Sequence, residues 1–373
     1  MTADRARELT DLWAAFSKGC NTRVPLTFAC DEQLWLRVSG HTFREFYTRP
    51  EVHLKAQLEG KRWFCEHVEG DMPPGLPDEW ALAVQLWMEE DEFFGCEVIY
   101  QEDDYAWARP LDLDNHSLLA WIADLDPEAR VRGGHAFHLY EAVSELADGM
   151  EYLGRPVRVV PPGQGTHGVF TKAAEVRGLE RLCLDLVESP GFAEQFLRLM
   201  TEKTIERIRA WHRVTTGAEL QLPHAGGWGC CDDSLQMIGP HVYADLVAPC
   251  HERLYSAMST GTRSMHLCGH AEQHYVALHD RLGVTILDGP GPFVDHAYYL
   301  ERFGPDFRFA AQTDHSILER GTPAQVREMM RRLLTPGAKQ PGRFSLLGYV
   351  TRHTPLENVR ACYEAALEFG RIQ

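Results

Sequence analysis

The residues Arg263-Ser264-Met265-His266-Leu267-Cys268-Gly269-His270 have the pattern of a short strand running into a glycine turn. Side chains two apart on a strand share a face, so His266 and Cys268 look the same way where that strand ends. An imidazole beside a thiol can hold one soft or borderline metal ion, with zinc the first candidate. The same His-x-Cys spacing also arises where the cysteine is only a small buried apolar residue.

Other chemistry-bearing residues fall at the ends of strand-like segments. Glu219-Leu220-Gln221-Leu222 ends at His224, Val284-Thr285-Ile286-Leu287 ends at Asp288, and Phe307-Arg308-Phe309-Ala310 ends near Gln312, Asp314 and His315. Tyr349 follows the last such segment, Phe344 to Leu347. The loop after His224 carries Cys230, Cys231, Asp232 and Asp233, and the loop after Val157-Arg158-Val159-Val160 carries His167 between two glycines. Adjacent cysteines do not readily bond to each other, so Cys230 and Cys231 read as buried or loop thiols. Asp232 and Asp233 bind a polar substrate group or cap the helix that follows. His167 is a substrate hydrogen-bond donor or a loop histidine with no further role.

Between these strands lie amphipathic segments with helix-start signals: Ser189-Pro190, Thr322-Pro323-Ala324-Gln325 and Thr354-Pro355-Leu356-Glu357. Strand, loop and helix in repetition give a parallel sheet. No Gly-rich nucleotide loop follows the first strand of the series, and polar residues end nearly every strand. Both features favour an α/β (β/α)8 barrel over an open doubly wound sheet, because barrel strand ends converge on one mouth. His224, His266, Cys268, Asp288, Gln312, Asp314 and Tyr349 are expected to face it. Residues 1–115 do not alternate strand and helix, and are expected to form an N-terminal extension packed on a barrel made by 116–373.

The 373 residues are ordinary in composition for a water-soluble globular chain. No run of about 18 apolar residues is present, and the first 18 residues lack a signal peptide's apolar block. A cytoplasmic protein without membrane attachment is expected. A net charge of −17 argues against nucleic acid, which needs basic patches. The ten cysteines are scattered, with no disulfide-rich spacing.

This order of pieces resembles the uroporphyrinogen decarboxylase superfamily, which folds as a (β/α)8 barrel. The resemblance rests on His266-Leu267-Cys268-Gly269, on Gly321-Thr322-Pro323, on Thr354 to Val359, and on Thr171 to Asp185 with Arg177-Gly178. The porphyrinogen decarboxylases carry an arginine-containing loop near the N-terminus, whereas here the equivalent region reads Val24-Pro25-Leu26-Thr27-Phe28-Ala29-Cys30-Asp31. The cobalamin-associated methyltransferases of the superfamily carry His-x-Cys and a later Cys that together bind zinc. His266 and Cys268 match the first two. The place of the third reads Leu347-Gly348-Tyr349-Val350.

The resemblance therefore implies a methyltransferase that moves a methyl group between a small molecule or thiol and a corrinoid carried by a partner protein, with zinc on His266 and Cys268. The third ligand is expected from another strand end: Cys230, Cys231, Asp288, Asp314 or His315. Asp288, His315 and His224 are the candidate catalytic residues, and Asp232, Asp233, His167, Gln312 and Tyr349 the candidate substrate contacts. Two rivals share the fold: a metal-free decarboxylase, and a non-catalytic corrinoid- or tetrapyrrole-binding protein.

Overall fold

A computed structural model describes residues 3–84, 86–163 and 165–372. Eight barrel strands succeed one another along the chain: β1 (Leu26–Cys30), β2 (Trp80–Ala83), β3 (Arg155–Val160), β4 (Trp228–Cys231), β5 (Arg263–His266), β6 (Val284–Asp288), β7 (Arg308–Gln312) and β8 (Phe344–Val350). Six of them pair in one sheet in the order β1-β8-β7-β6-β5-β4, and every ladder in that sheet is parallel. The other two, β2 and β3, pair with each other in parallel, and Glu151–Tyr152 adds a short antiparallel edge to β3. The chain is a (β/α)8 barrel, as its strand–helix rhythm requires.

The expected boundary at residue 115 does not hold, because β1 and β2 both lie before it and both belong to the barrel's parallel strands. The strand β2 is four residues long and directly follows a turn rich in proline, too short to show a period of its own. Among the described residues of 1–115, the hairpin of Glu97–Ile99 with Trp107–Arg109 and several helices are the regular elements outside the parallel strands. The N-terminal helix Ala3–Ser17 and the last helix Leu356–Phe369 meet at one buried carboxylate. Asp71 accepts two bonds from the Arg23 guanidinium (2.6 and 2.7 Å), one from the Leu26 N–H (2.8 Å) and one from the Tyr363 hydroxyl (2.9 Å).

Several local expectations are met. Thr322 forms a complete capping box, and Pro190 opens the helix that runs to Thr216; Thr42 adds a second complete capping box. The segment after Thr42 forms two helices, Phe43–Thr48 and Pro50–His67, since Pro50 offers no N–H to continue the first. Thr354 does not cap the last helix; its hydroxyl accepts the Thr351 N–H instead, at 2.9 Å.

Alternation along the strands sorts the barrel wall. In β8 every second residue from Phe344 is buried, and the residues between are half-buried. Met265, Leu287 and Phe309 are likewise buried, while Cys231, His266 and Asp288 are half-buried. The first set packs outward beneath the helices, and the second lines the barrel's interior. Several interior positions are small: Ala29, Gly229, Ser264, Ala310 and Ser345. A barrel filled by layers of branched side chains has no room inside; this one keeps a cavity of about 500 Å³.

Candidate metal centre and cavity

Register places the site. Cys231 pairs with His266, and His266 pairs with Asp288, so three neighbouring strands present these side chains in one row at the C-terminal end of the barrel. The His266 imidazole stands between two carboxylates. Its Nδ1 is 3.3 Å from Asp288 Oδ2, and its Nε2 is 3.8 Å from Asp233 Oδ1. Asp233 also accepts the Cys268 N–H at 2.7 Å, which ties the loop after β5 to the loop after β4. The ligand atoms of Asp233, His266 and Cys268 lie within 4.8 Å of one another, and among the described residues they form the one such group. Burial alone lowers the His266 pKa, but its hydrogen bonds to Asp288 and Cys268 and the charge of Asp233 outweigh that and raise it to about 10.

This donor set fits a catalytic zinc. One nitrogen, one sulfur and one carboxylate oxygen make three protein ligands, leaving a fourth position for substrate. With Nε2 turned to the metal side, Nδ1 faces Asp288, the carboxylate–histidine arrangement that fixes the ring of a metal-bound histidine. Asp288 Oδ1 is buried with no partner among the described residues, so this carboxylate retains acceptor capacity. Of the expected third ligands, Asp288 thus stands behind His266 rather than beside the group. Asp233, expected as a substrate contact, is the third member of the group that could hold the ion.

The remaining candidates separate cleanly. Cys231 faces the cavity, but burial first, then the charges of Asp233 and Asp288, push its thiol up to about 12. Cys230 points the other way, 3.7 Å from the Tyr255 hydroxyl. Asp314 is spent as a helix cap on the Ile317 N–H at 3.0 Å. His315 lies 3.1 Å from Gln312 Oε1 and stacks on Tyr349 with ring centres 5.2 Å apart, so these three form a cluster of their own. Burial lowers the His315 pKa, which favours the neutral ring there.

Two expectations are corrected. His224 precedes β4 instead of ending a strand, because the strand here is Trp228–Cys231 and not Glu219–Leu222. It therefore lies ahead of β4 and not at its C-terminal end, in a pocket with Trp211 and Trp228 that adjoins the cavity along Pro161–Gly163. Asp232 is fully buried and not open to substrate. Its carboxylate accepts the Phe170 N–H (3.0 Å), the Thr171 N–H and the Thr171 hydroxyl (both 2.7 Å), and lies 2.9 Å from His251 Nε2. It is the anchor of the helix Val169–Arg177, the helix-capping alternative of the sequence reading realised on a preceding helix.

The cavity also holds residues not singled out by sequence. Glu89, Glu90 and Arg207 line it together with His167, Cys231, His266 and Asp288. Glu89 and Glu90 belong to the acidic run 89–92, a pattern more common on solvated helix faces. The structure buries both against Arg207.

Gly289 keeps His266 in place from below. It has φ +100°, and a Cβ there would meet Leu267 O at 2.8 Å and His266 Cε1 at 2.9 Å. Gly289→Ala is expected to cost about 1–3 kcal/mol of stability by this overpacking and to weaken metal binding by turning the imidazole. Denaturant unfolding and a chelator competition check the two halves of that expectation.

Set beside known proteins, the geometry gains a lineage. Residues 10–369 match the family described as uroporphyrinogen decarboxylase (URO-D). The chain belongs to that family. Among solved structures it is similar to a methyltransferase from Methanosarcina mazei, with 18% sequence identity, a TM-score of 0.62, and coverage of 96% of this chain and 98% of that one. At that identity the likeness speaks for the fold. No curated protein matches the chain. No helix among the described residues is long and apolar enough to cross a membrane.

Proposed function

We propose that the protein is a zinc-dependent methyltransferase of the uroporphyrinogen decarboxylase-like type, moving a methyl group between a small thiol or methylated compound and a corrinoid held by a partner protein. The observation that carries this reading is the group of Asp233, His266 and Cys268 at the mouth of a barrel with an open interior. A bound zinc ion would lower the pKa of a substrate thiol and hold its thiolate at neutral pH.

The chain's own residues have distinct parts in this. His266, Cys268 and Asp233 hold the metal, and Asp288 orients the His266 ring. The cavity walls exclude water and keep the reacting atoms in line. The corrinoid carrier docks over the strand ends, where the metal group opens to solvent. His315 and Tyr349 offer the substrate a polar and aromatic surface at the strand ends, with Gln312 buried behind the His315 ring.

A porphyrinogen decarboxylase is less well supported. Arg207 is the only arginine lining the cavity among the described residues, and it is already paired with Glu89 and Glu90. A polycarboxylate would meet two buried carboxylates and no free cation there. The test of the methyl-transfer reading uses the full chain loaded with zinc, free methylcobalamin and 2-mercaptoethanol. Thioether formation, followed by mass spectrometry and absent in Cys268→Ala, is the expected result. Zinc-independent release of carbon dioxide from a carboxylated tetrapyrrole would put the decarboxylase ahead.

A further inference from the structure

One wall of the cavity, reached from the loop after β3, carries charged groups that the metal centre does not use. His167 Nδ1 lies 2.8 Å from Glu90 Oε1. The same carboxylate accepts the His167 backbone N–H at 2.8 Å and the Thr166 hydroxyl at 2.6 Å. Glu90 is held from behind by Arg207, 3.1 Å away, and Arg207 is itself bound to Glu89 and to the Gly165 carbonyl. The imidazole lies against the Trp87 ring at 5.0 Å, and the Trp87 indole N–H is fixed on Glu32 at 2.9 Å. The backbone of this loop is tied down as well. Gly168 has φ +90°, and a Cβ on it would come within 2.2 Å of the Cys231 carbonyl.

The result is an imidazole with one nitrogen committed and one presented. Nδ1–H is taken by Glu90, while Nε2 meets no hydrogen-bond partner among the described residues. The ring lines the cavity that His266 and Asp288 also line. A carboxylate on Nδ1 fixes the tautomer that leaves the Nε2 lone pair for a proton. Burial by itself would raise the Glu90 pKa, but Arg207, His167 and Lys172 draw it well below the usual carboxylate range, so Glu90 keeps its charge and its grip. A loop histidine without a role has no need of a buried carboxylate and a buried guanidinium behind it.

We propose that His167 is the proton-transfer residue of this site, with Glu90 as its positioning residue, and that the substrate's methyl-bearing atom is one that carries hydrogen when demethylated: a thiol or phenolic X–H, and not a quaternary ammonium. The proposal rests on the methyl-transfer reading above. In the methylating direction the X–H proton passes to His167 Nε2, and the X–H electron pair stays on X. That pair forms the new X–C bond as the bond between the methyl carbon and the corrinoid carrier breaks, and the carrier keeps the bonding electrons. In the reverse direction the reduced carrier supplies the electron pair to the methyl carbon. X then departs with the C–X pair and takes its proton back from Nε2.

The test begins with the metal-free full chain and needs no turnover. Long-range ¹H–¹⁵N correlation spectra, with His167 assigned by its disappearance in His167→Gln, are expected to show His167 in its neutral form protonated on Nδ1. Glu90→Gln is expected to abolish that preference. An Nε2-protonated His167 in the wild type overturns the proposal. With zinc, methylcobalamin and 2-mercaptoethanol, His167→Gln is expected to lower kcat by about 10²–10⁴-fold with little change in KM, and to remove the acidic limb of the kcat/KM profile. The charged and titratable groups facing His167 are Glu90, Arg207 and Glu89 behind it, and Cys231, His266 and Asp288 elsewhere on the cavity wall. Glu90→Gln is expected to shift that limb, and not to abolish it. If the wild type transfers methyl groups and His167→Gln matches it in kcat and pH profile, the proposal fails while the methyl-transfer reading stands. If the wild type transfers none, that reading fails, and with it the proposed step.

Discussion

Asp232→Ala is expected to lower the stability of the protein by about 3–5 kcal/mol, a large share of the roughly 5–15 kcal/mol that holds a typical domain folded. The carboxylate it removes is fully buried, and it satisfies two backbone N–H groups and one hydroxyl of the helix Val169–Arg177. It is also the partner of buried His251, whose other ring nitrogen lies 3.3 Å from the Tyr243 hydroxyl. Alanine leaves all of these without a partner at once, and an unsatisfied buried donor costs about 1–3 kcal/mol. Asp232→Asn keeps an acceptor and is expected to lose less. The measurement is urea unfolding of both variants. If Asp232 were a substrate contact, both variants would instead unfold like the wild type and differ from it only in KM.

The second large effect falls on metal affinity. Removing a residue that only orients a metal-bound histidine typically weakens binding by about 10–100-fold, and that is the loss expected for Asp288→Asn. Removing a ligand has to cost more, so Cys268→Ala is expected to weaken zinc binding by more than about 100-fold. The fold is expected to survive in both, since neither side chain belongs to the hydrophobic core. Competition with a chromophoric chelator gives the affinities. Equal losses in the two variants would mean that Asp288 binds the metal directly and that the roles assigned to it and Asp233 are reversed.

Much of the architecture was legible because strand and helix alternate plainly after β3. The strand ends at His266 and Asp288 could be read to the residue, and the end at Gln312 to within three, from strand-like segments that stop at a polar side chain. What escaped has identifiable physical causes. The strand β4 is Trp-Gly-Cys-Cys, with a glycine inside and a glycine before it, so it reads as loop, and with it went the placement of His224, Cys231, Asp232 and Asp233. Once β4 is known, Asp233 follows its last residue, Cys231, by two, next to β5, and supplies the third member of the proposed ligand group in place of the later cysteine. The Glu90–His167 pair joins residues 77 positions apart. Nothing local to either residue announces the other, and an acidic run of four is more often a solvated helix face. Asp232 shows the opposite limit. Its residue type suits a substrate contact, and only its burial assigns it to structure.

The deciding question is whether one ion sits among Asp233, His266 and Cys268. X-ray absorption at the zinc edge of the full-length protein, loaded with one equivalent of zinc, reads this directly. One sulfur at about 2.3 Å with nitrogen and oxygen neighbours at about 2.0–2.2 Å is the expected shell, and the sulfur is expected to vanish in Cys268→Ala. A shell of oxygen and nitrogen alone in the wild type, unchanged by that substitution, would contradict the account and leave His266 and Cys268 as ordinary residues of the barrel mouth.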